Sequence, residues 1–131
     1  MKKGAFTRRW FKPIPDFPGY WINRAGKVWS EKTRRFLAWH LNTKWYPRVS
    51  FYHAGRRLHM FVHRLVAMVF HKNPDPDKKT EVNHLDYDTQ NPYFKNLQWV
   101  TPLENRIHKR LKSWATQVYS NNPADENYCP F

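Results

Sequence analysis

A chain of 131 residues with 40 % hydrophobic and 18 % aromatic content can build one domain, or two small ones sharing a core, and is too apolar for a disordered polymer. Its 23 Lys and Arg against 10 Asp and Glu leave a net charge of +13, which only repels itself unless a polyanion is bound, and nucleic acid is the first candidate. One cysteine, Cys129, excludes an intrachain disulfide and a cysteine-rich zinc knuckle, and fits a reducing cytoplasm.

The N-terminal "MKKGAFTRRW" is basic and lacks the apolar run of a signal peptide, and no later run is long enough to cross a membrane. In "PIPDFPGYWINRAGKVWS" the prolines at 13, 15 and 18 forbid a helix. Tyr20 to Ile22 and Lys27 to Trp29 read as short strands, joined by a turn in which Gly26 can take positive φ. "RFLAWHL" and "YPRVSFY" read as further strands, and "FYHAGRRLHMF" as a hairpin turning at "HAGR". Trp21, Trp29, Trp39 and Trp45 are expected in the core, because a small sheet without metal or disulfide needs large apolar side chains.

At "VHRLVAMVFHK" the period changes: Leu65 with Val69, and Val66 with Phe70, are four apart, which predicts a short buried helix ended by "NPDPDKK". "EVNHL" and "NLQWV" follow as strands around the loop "DYDTQNPYFK", with Asn96 opening the second strand. "TPLE" then starts a helix, with Thr101 as cap, Pro102 in the first position and Glu104 completing a capping box. Leu103, Ile107 and Leu111 recur at four-residue spacing and are expected to form its buried stripe. Residues 113–131 show no periodicity and read as a tail. The fold class is α+β: an N-terminal antiparallel β region, a bridging helix, then a ββα unit.

That unit carries the chemistry. Asn83 and His84 end its first strand, while Asn105 and His108 share a helix face turned away from the leucine stripe. Two amide carbonyl oxygens suit Mg²⁺ or Mn²⁺. A neutral imidazole, with an ordinary pKa of about 6.5, can take a proton from water, so activity is expected to fade as pH falls through about that value. Asn96 can hydrogen-bond across the loop and orient His84. Together these suit hydrolysis of a phosphodiester. His63, His84 and His108 could instead hold zinc, but their spacing is unlike that of zinc fingers and no cysteine is near.

The stretch from "VHRLVAMVF" through "EVNHLDYDTQNPYFKNLQWVTPLENRIH" resembles the phage-type HNH endonucleases, which include homing endonucleases; their pattern is close to "vHrlva.aF … vNHkdgn..nN...NLewvt..eN". Twelve residues separate His84 from Asn96 and nine separate Asn96 from Asn105, as in that family. The resemblance implies a ββα-metal (His-Me finger) core at 61–112. In it His84 is the general base, Asn83 and Asn105 hold one divalent ion per site, and Asn96 braces the loop. His63 matches the family's upstream His, as an accessory in packing or DNA contact. Apart from the resemblance, His108 reads as a phosphate contact or an exposed His, with a third metal ligand as the other alternative.

"W…IPDFPGYWINRAGKVWS" looks like the NUMOD4 module often found ahead of such nucleases, which implies a DNA-binding β region at 1–60 and leaves 113–131 as tail. The implied partner is double-stranded DNA, with no membrane, in the cytoplasm of a bacterial host if phage-encoded. The implied product ends are a 3′-hydroxyl and a 5′-phosphate. One site per chain implies nicking by a monomer, with a weak dimer or two events needed for a double-strand break. The sequence departs from the pattern at Tyr87, where Gly is usual, and at Asp88, where Asn is usual, so a loop of different shape is expected.

For DNA contact the expected cations are Arg106, Lys109 and Arg110 on the last helix, then Arg34, Arg35, Arg48, Arg56 and Arg57 over the β region. Two other readings stand beside the nuclease: a non-catalytic DNA-binding module derived from one, and an RNA-binding or RNA-cleaving protein.

Overall fold

The computed structural model describes residues 6–121. An antiparallel sheet forms first, from β1 (Phe11–Pro13), β2 (Tyr20–Asn23), β3 (Val28–Ser30) and β4 (Arg35–Phe36), in chain order. The β2–β3 turn is closed by Asn23, whose Oδ1 accepts from the N–H groups of Ala25 (3.1 Å) and Lys27 (2.8 Å). Gly26 is required there twice over. Its φ is +91°, and a Cβ would lie 2.5 Å from Val62 Cγ1.

A second sheet holds β5 (His40–Leu41), β6 (Pro47–His53) and β7 (Arg56–Phe61). The expected hairpin is β6–β7, turning at Ala54 (φ 52°) and Gly55 (φ 77°). Two positive φ values suit the twist of a two-residue hairpin loop. "RFLAWHL" is not one strand: Arg35–Phe36 belongs to the first sheet and His40–Leu41 to the second. Trp39, between them, ties the crossing to the first sheet by donating from Nε1 to the Gly26 carbonyl at 3.1 Å.

Helix α1 (Val62–Phe70) follows β7 directly and is the centre of the molecule. Val62, Leu65, Val66 and Ala67 are fully buried in one cluster with Ile14, Ile22, Val28, Val49, Phe51, Val82 and Leu97. Each buried Val, Leu, Ile or Phe side chain of the cluster contributes about 1.5–3 kcal/mol by leaving water. The cluster draws on both sides of the expected division at residues 60 and 61, so one core serves both. The ribbon of β8 (Glu81–His84) and β9 (Leu97–Val100) lays Val82 and Leu97 on α1, and Trp99 Nε1 donates to the carbonyls of Ala67 and His71, each at 3.3 Å. Asn96 lies in the 3₁₀ turn Phe94–Asn96 rather than opening β9.

Helix α2 (Pro102–Asn121) starts on the expected box: Glu104 N–H donates to Thr101 Oγ1 (3.1 Å), and Thr101 N–H donates to Glu104 Oε1 (3.2 Å). Two expectations fail on this helix. It runs through residues 113–121, assigned to the tail, because nothing between Ser113 and Asn121 is Pro or Gly; residues 122–131, with Cys129, lie outside the described residues. The leucine stripe is also not buried: Leu103, Ile107 and Leu111 are 59, 50 and 46 % exposed, while Asn105 is buried. The ribbon has already given its apolar face to α1, so α2 meets the other, polar face of β8.

Trp45 is another correction. It is 62 % exposed at a turn tip, with φ at 65°, and Trp39 is 38 % exposed. Strands this short cannot enclose a ring carried on a tight turn.

Candidate active site

Strand β8 ends in Asn83 and His84, opposite Gln98 and Leu97, and both are buried. Alternation along the strand sets Glu81 and Asn83 on the face toward α2, and Val82 and His84 toward α1. One turn into α2, Asn105 N–H donates to the Thr101 carbonyl at 3.0 Å. Its side chain returns to β8, with Nδ2 donating to Glu81 Oε1 at 3.2 Å. That bond uses the amide nitrogen and leaves the carbonyl oxygen for another partner. Among the described residues the Asn83 amide makes no side-chain hydrogen bond.

Asn83, His84 and Asn105 line one cavity of about 170 Å³ with Tyr46 and His108. His84 Nε2 is buried and has no hydrogen-bond partner. Burial pushes its pKa below the ordinary 6.5, against the pull of the Asp86 and Asp88 carboxylates, which raise it. The imidazole is therefore neutral at neutral pH and can accept a proton. The expected fade of activity through about pH 6.5 moves to lower pH accordingly.

Two carbonyl oxygens beside a neutral imidazole suit a hard divalent cation that completes its shell with water and phosphate oxygens. The zinc alternative does not fit: among the described residues no three His, Cys, Asp or Glu are grouped to hold a metal. His108 is instead stacked on Tyr87, ring centroids 4.1 Å apart, and its Nε2 is buried without a partner.

Asn96 does not touch His84. Its Oδ1 accepts from Asp86 N–H (2.9 Å), and its Nδ2 donates to Asp86 Oδ1 (2.8 Å) and to the Asn91 carbonyl (2.9 Å). Its own carbonyl accepts from Leu85 N–H at 2.8 Å. It braces both ends of the loop that leaves His84, so any effect on the imidazole passes through the backbone. Within that loop Tyr87 holds φ at 64°, the left-handed region that favours glycine. Tyr87 stands in that region where the family pattern has Gly, and its hydroxyl donates to the His108 carbonyl at 3.0 Å.

His63 comes from α1 and is buried, its ring 4.8 Å from that of His84. Burial, then the neighbouring His84 and Arg64, lower its pKa to about 3. Tyr46 packs against both rings, at 5.2 Å from His63 and 5.7 Å from His84. Asn42 fixes its turn by accepting from the N–H groups of Lys44 (3.0 Å) and Tyr46 (2.9 Å), and Thr89 Oγ1 ties that turn to the loop by donating to the Trp45 carbonyl at 3.0 Å.

Of the α2 cations, Lys109 lines this cavity and a second one of about 410 Å³ beside it; Arg106 and Arg110 are exposed and line neither. Arg34, Arg35, Arg56 and Arg57 are exposed on the β region, whereas Arg48 is half-buried with Nε buried and unpartnered. Sequence reasoning missed Lys112, which also lines the smaller cavity. Its position seven residues after Asn105, on the face of Asn105 and His108, is a signal that could have found it. Tyr46, Glu81, Lys44 and Arg64 were missed as well, and all four line the larger cavity. No local pattern carries those four, because their place depends on how distant segments pack.

No family model matches the chain. It is 35 % identical over 121 residues to the H-N-H endonuclease F-TflII of Escherichia phage T5, across 92 % of this chain and 59 % of that protein. It is 34 % identical over 99 residues to the H-N-H endonuclease F-TflI of the same phage, across 73 % of this chain and 50 % of that protein. The chain thus spans about half the length of these relatives. Its fold matches the solved structure of I-HmuI, an HNH homing endonuclease of Bacillus phage SP01 that binds and cleaves DNA, with a TM-score of 0.72. That match has 27 % identity and covers 84 % of this chain and 66 % of the other. Likeness in sequence and in fold points to the HNH homing endonucleases as its relatives. Among the described residues no helix is long and apolar enough to cross a membrane.

Proposed function

We infer that the chain is a divalent-metal-dependent endonuclease of the HNH type that hydrolyses phosphodiester bonds of duplex DNA. The observation that carries this reading is the buried, unpartnered Nε2 of His84 in the same cavity wall as the amides of Asn83 and Asn105. An orphaned buried nitrogen is costly unless something transient, here a water to be deprotonated, occupies it.

In this reading His84 takes the proton of a water whose oxygen attacks phosphorus. The bond from phosphorus to the 3′ oxygen breaks, leaving a 3′-hydroxyl, protonated from solvent, and a 5′-phosphate. Asn83 and Asn105 would hold one Mg²⁺ or Mn²⁺ by their carbonyl oxygens. When bound, the ion supplies stabilisation of negative charge on the phosphate and the leaving oxygen. Lys109 draws the phosphate in by charge, and Asn96 keeps the loop after His84 from shifting.

Residues 61–112 act as a ββα-metal core, and residues 1–60 act as a NUMOD4-like, DNA-binding β region. Arg34, Arg35, Arg56 and Arg57 supply cations to the backbone of the duplex. A single site per chain nicks one strand as a monomer. Incubation with supercoiled plasmid, with Mg²⁺, with Mn²⁺ and with chelator, tests the reading. Open circles that appear with metal and vanish with chelator support it. Plasmid that is bound but never nicked would leave a non-catalytic DNA-binding module.

A further inference from the structure

The site as described has a deficit of charge. Asn83 and Asn105 are neutral amides, Lys109 and Lys112 line the same cavity, and the whole chain carries +13. A divalent ion held by two amides alone, in a basic protein, binds weakly. Glu81 stands one contact behind this site, outside the wall of the cavity that Asn83 and His84 line. It shares the α2-facing side of β8 with Asn83, and its Oε1 accepts from Asn105 Nδ2 at 3.2 Å. It lines the larger cavity, whose wall also contains Asn105 and Lys109.

Two features set Glu81 apart from an ordinary surface carboxylate. It is half-buried, and among the described residues it forms no ion pair, although the chain has 23 Lys and Arg to offer. Lys79, two residues away, pairs with Glu104 instead, at 3.4 Å. Lys44, Arg64 and Lys109 line the same cavity as Glu81, yet none of them reaches ion-pair distance from it. The bond to Asn105 also has a direction: by accepting from Nδ2, Glu81 holds the amide so that its carbonyl oxygen is turned away from Glu81.

We propose that Glu81 is the charged residue behind the cation site, a positioning residue that orients the amide of Asn105 for the ion and lends, from one contact away, the negative charge the two amides lack. The proposal rests on the reading of Asn83 and Asn105 as ligands. It predicts that charge and orientation contribute separately. Glu81→Gln keeps an acceptor for Asn105 Nδ2 and removes the charge; Glu81→Ala removes both.

The test is Mn²⁺ binding to the full chain, followed by the loss of the free-ion electron paramagnetic resonance signal, with thermal melts to confirm folding. Wild type should bind one Mn²⁺. Glu81→Gln should weaken binding by about 10-fold and Glu81→Ala by up to about 100-fold, the range typical of residues that orient a ligand. Asn83→Ala and Asn105→Ala should abolish it. Glu81 variants that bind as wild type does, while the Asn variants lose the ion, would overturn the role of Glu81 alone. Asn variants that bind as wild type does would overturn the ligand assignment on which it rests.

Discussion

The imidazoles of His63 and His84 face each other with ring centroids 4.8 Å apart, both buried, and each keeps a ring nitrogen without a partner, Nδ1 in His63 and Nε2 in His84. Two such rings cannot both be charged, since burial and mutual repulsion act in the same direction. Burial, with His84 and Arg64 beside it, pushes the His63 pKa down to about 3, so that ring stays neutral across the whole useful range. A neutral His63 adds no positive charge beside His84.

The pair makes folding pH-dependent. The folded pKa of His63 lies below its unfolded value, so the unfolded chain binds more protons as the pH drops. The stability is complete above about pH 6.5 and is lost progressively as pH falls from there toward the folded pKa, at up to about 1.4 kcal/mol per pH unit for one such group. Urea unfolding at several pH values between about 7 and 5 measures the slope. His63→Gln removes the titrating group and is expected to flatten most of it. An unchanged slope in that variant would place the dependence elsewhere.

Asn96 makes three side-chain hydrogen bonds, two with Asp86 and one with the Asn91 carbonyl. At about 1 kcal/mol each, Asn96→Ala is expected to lower stability by about 1–3 kcal/mol. Asn96→Asp should be worse near neutral pH, because it sets a carboxylate against Asp86 Oδ1. Denaturant curves of the two variants give the order, and an Asp variant more stable than the Ala variant would contradict it.

Tyr87 offers a cleaner comparison. Its left-handed backbone penalises any side chain by about 1–2 kcal/mol, and its stacking on His108 compensates by about 0.5–1.5 kcal/mol. Tyr87→Ala keeps the penalty and loses the ring, whereas Tyr87→Gly loses both. The Gly variant should therefore be the more stable of the two by about 1 kcal/mol, measured by thermal or urea unfolding. Equal stabilities would mean that the loop relaxes out of the left-handed region when the ring is gone.

How much of this was legible in the sequence depended on how local each signal was. The Thr101–Glu104 box, the turn at Ala54–Gly55 and the helix at Val62–Phe70 are encoded within a few residues and appear as expected. Asn83, His84 and Asn105 converge on one cavity, as their spacing suggested. The stripe of Leu103, Ile107 and Leu111 misled, because amphipathicity says which face is apolar and not what the neighbour offers. The β8–β9 ribbon had spent its apolar side on α1. Tyr46 and Glu81 stayed hidden for the same kind of reason. One reaches His84 from a turn far back in the chain, and the other meets Asn105 across a strand–helix contact.

Binding of duplex DNA should be dominated by phosphate contacts. If six to ten phosphates are neutralised, affinity falls by about 10³–10⁵-fold between about 50 and 200 mM salt. A fluorescence-anisotropy titration over that range measures it, and a flat response would remove the phosphate-dominated interface.

The account turns on His84 as the base, and the sharpest measurement is nicking of supercoiled plasmid by wild type and by His84→Ala, with DNA affinity recorded on the same preparations. The expected result is unchanged affinity with nicking reduced by about 10²–10⁴-fold or more, the contribution typical of a positioned general base. A His84→Ala chain that nicks at the wild-type rate would contradict the account at its centre.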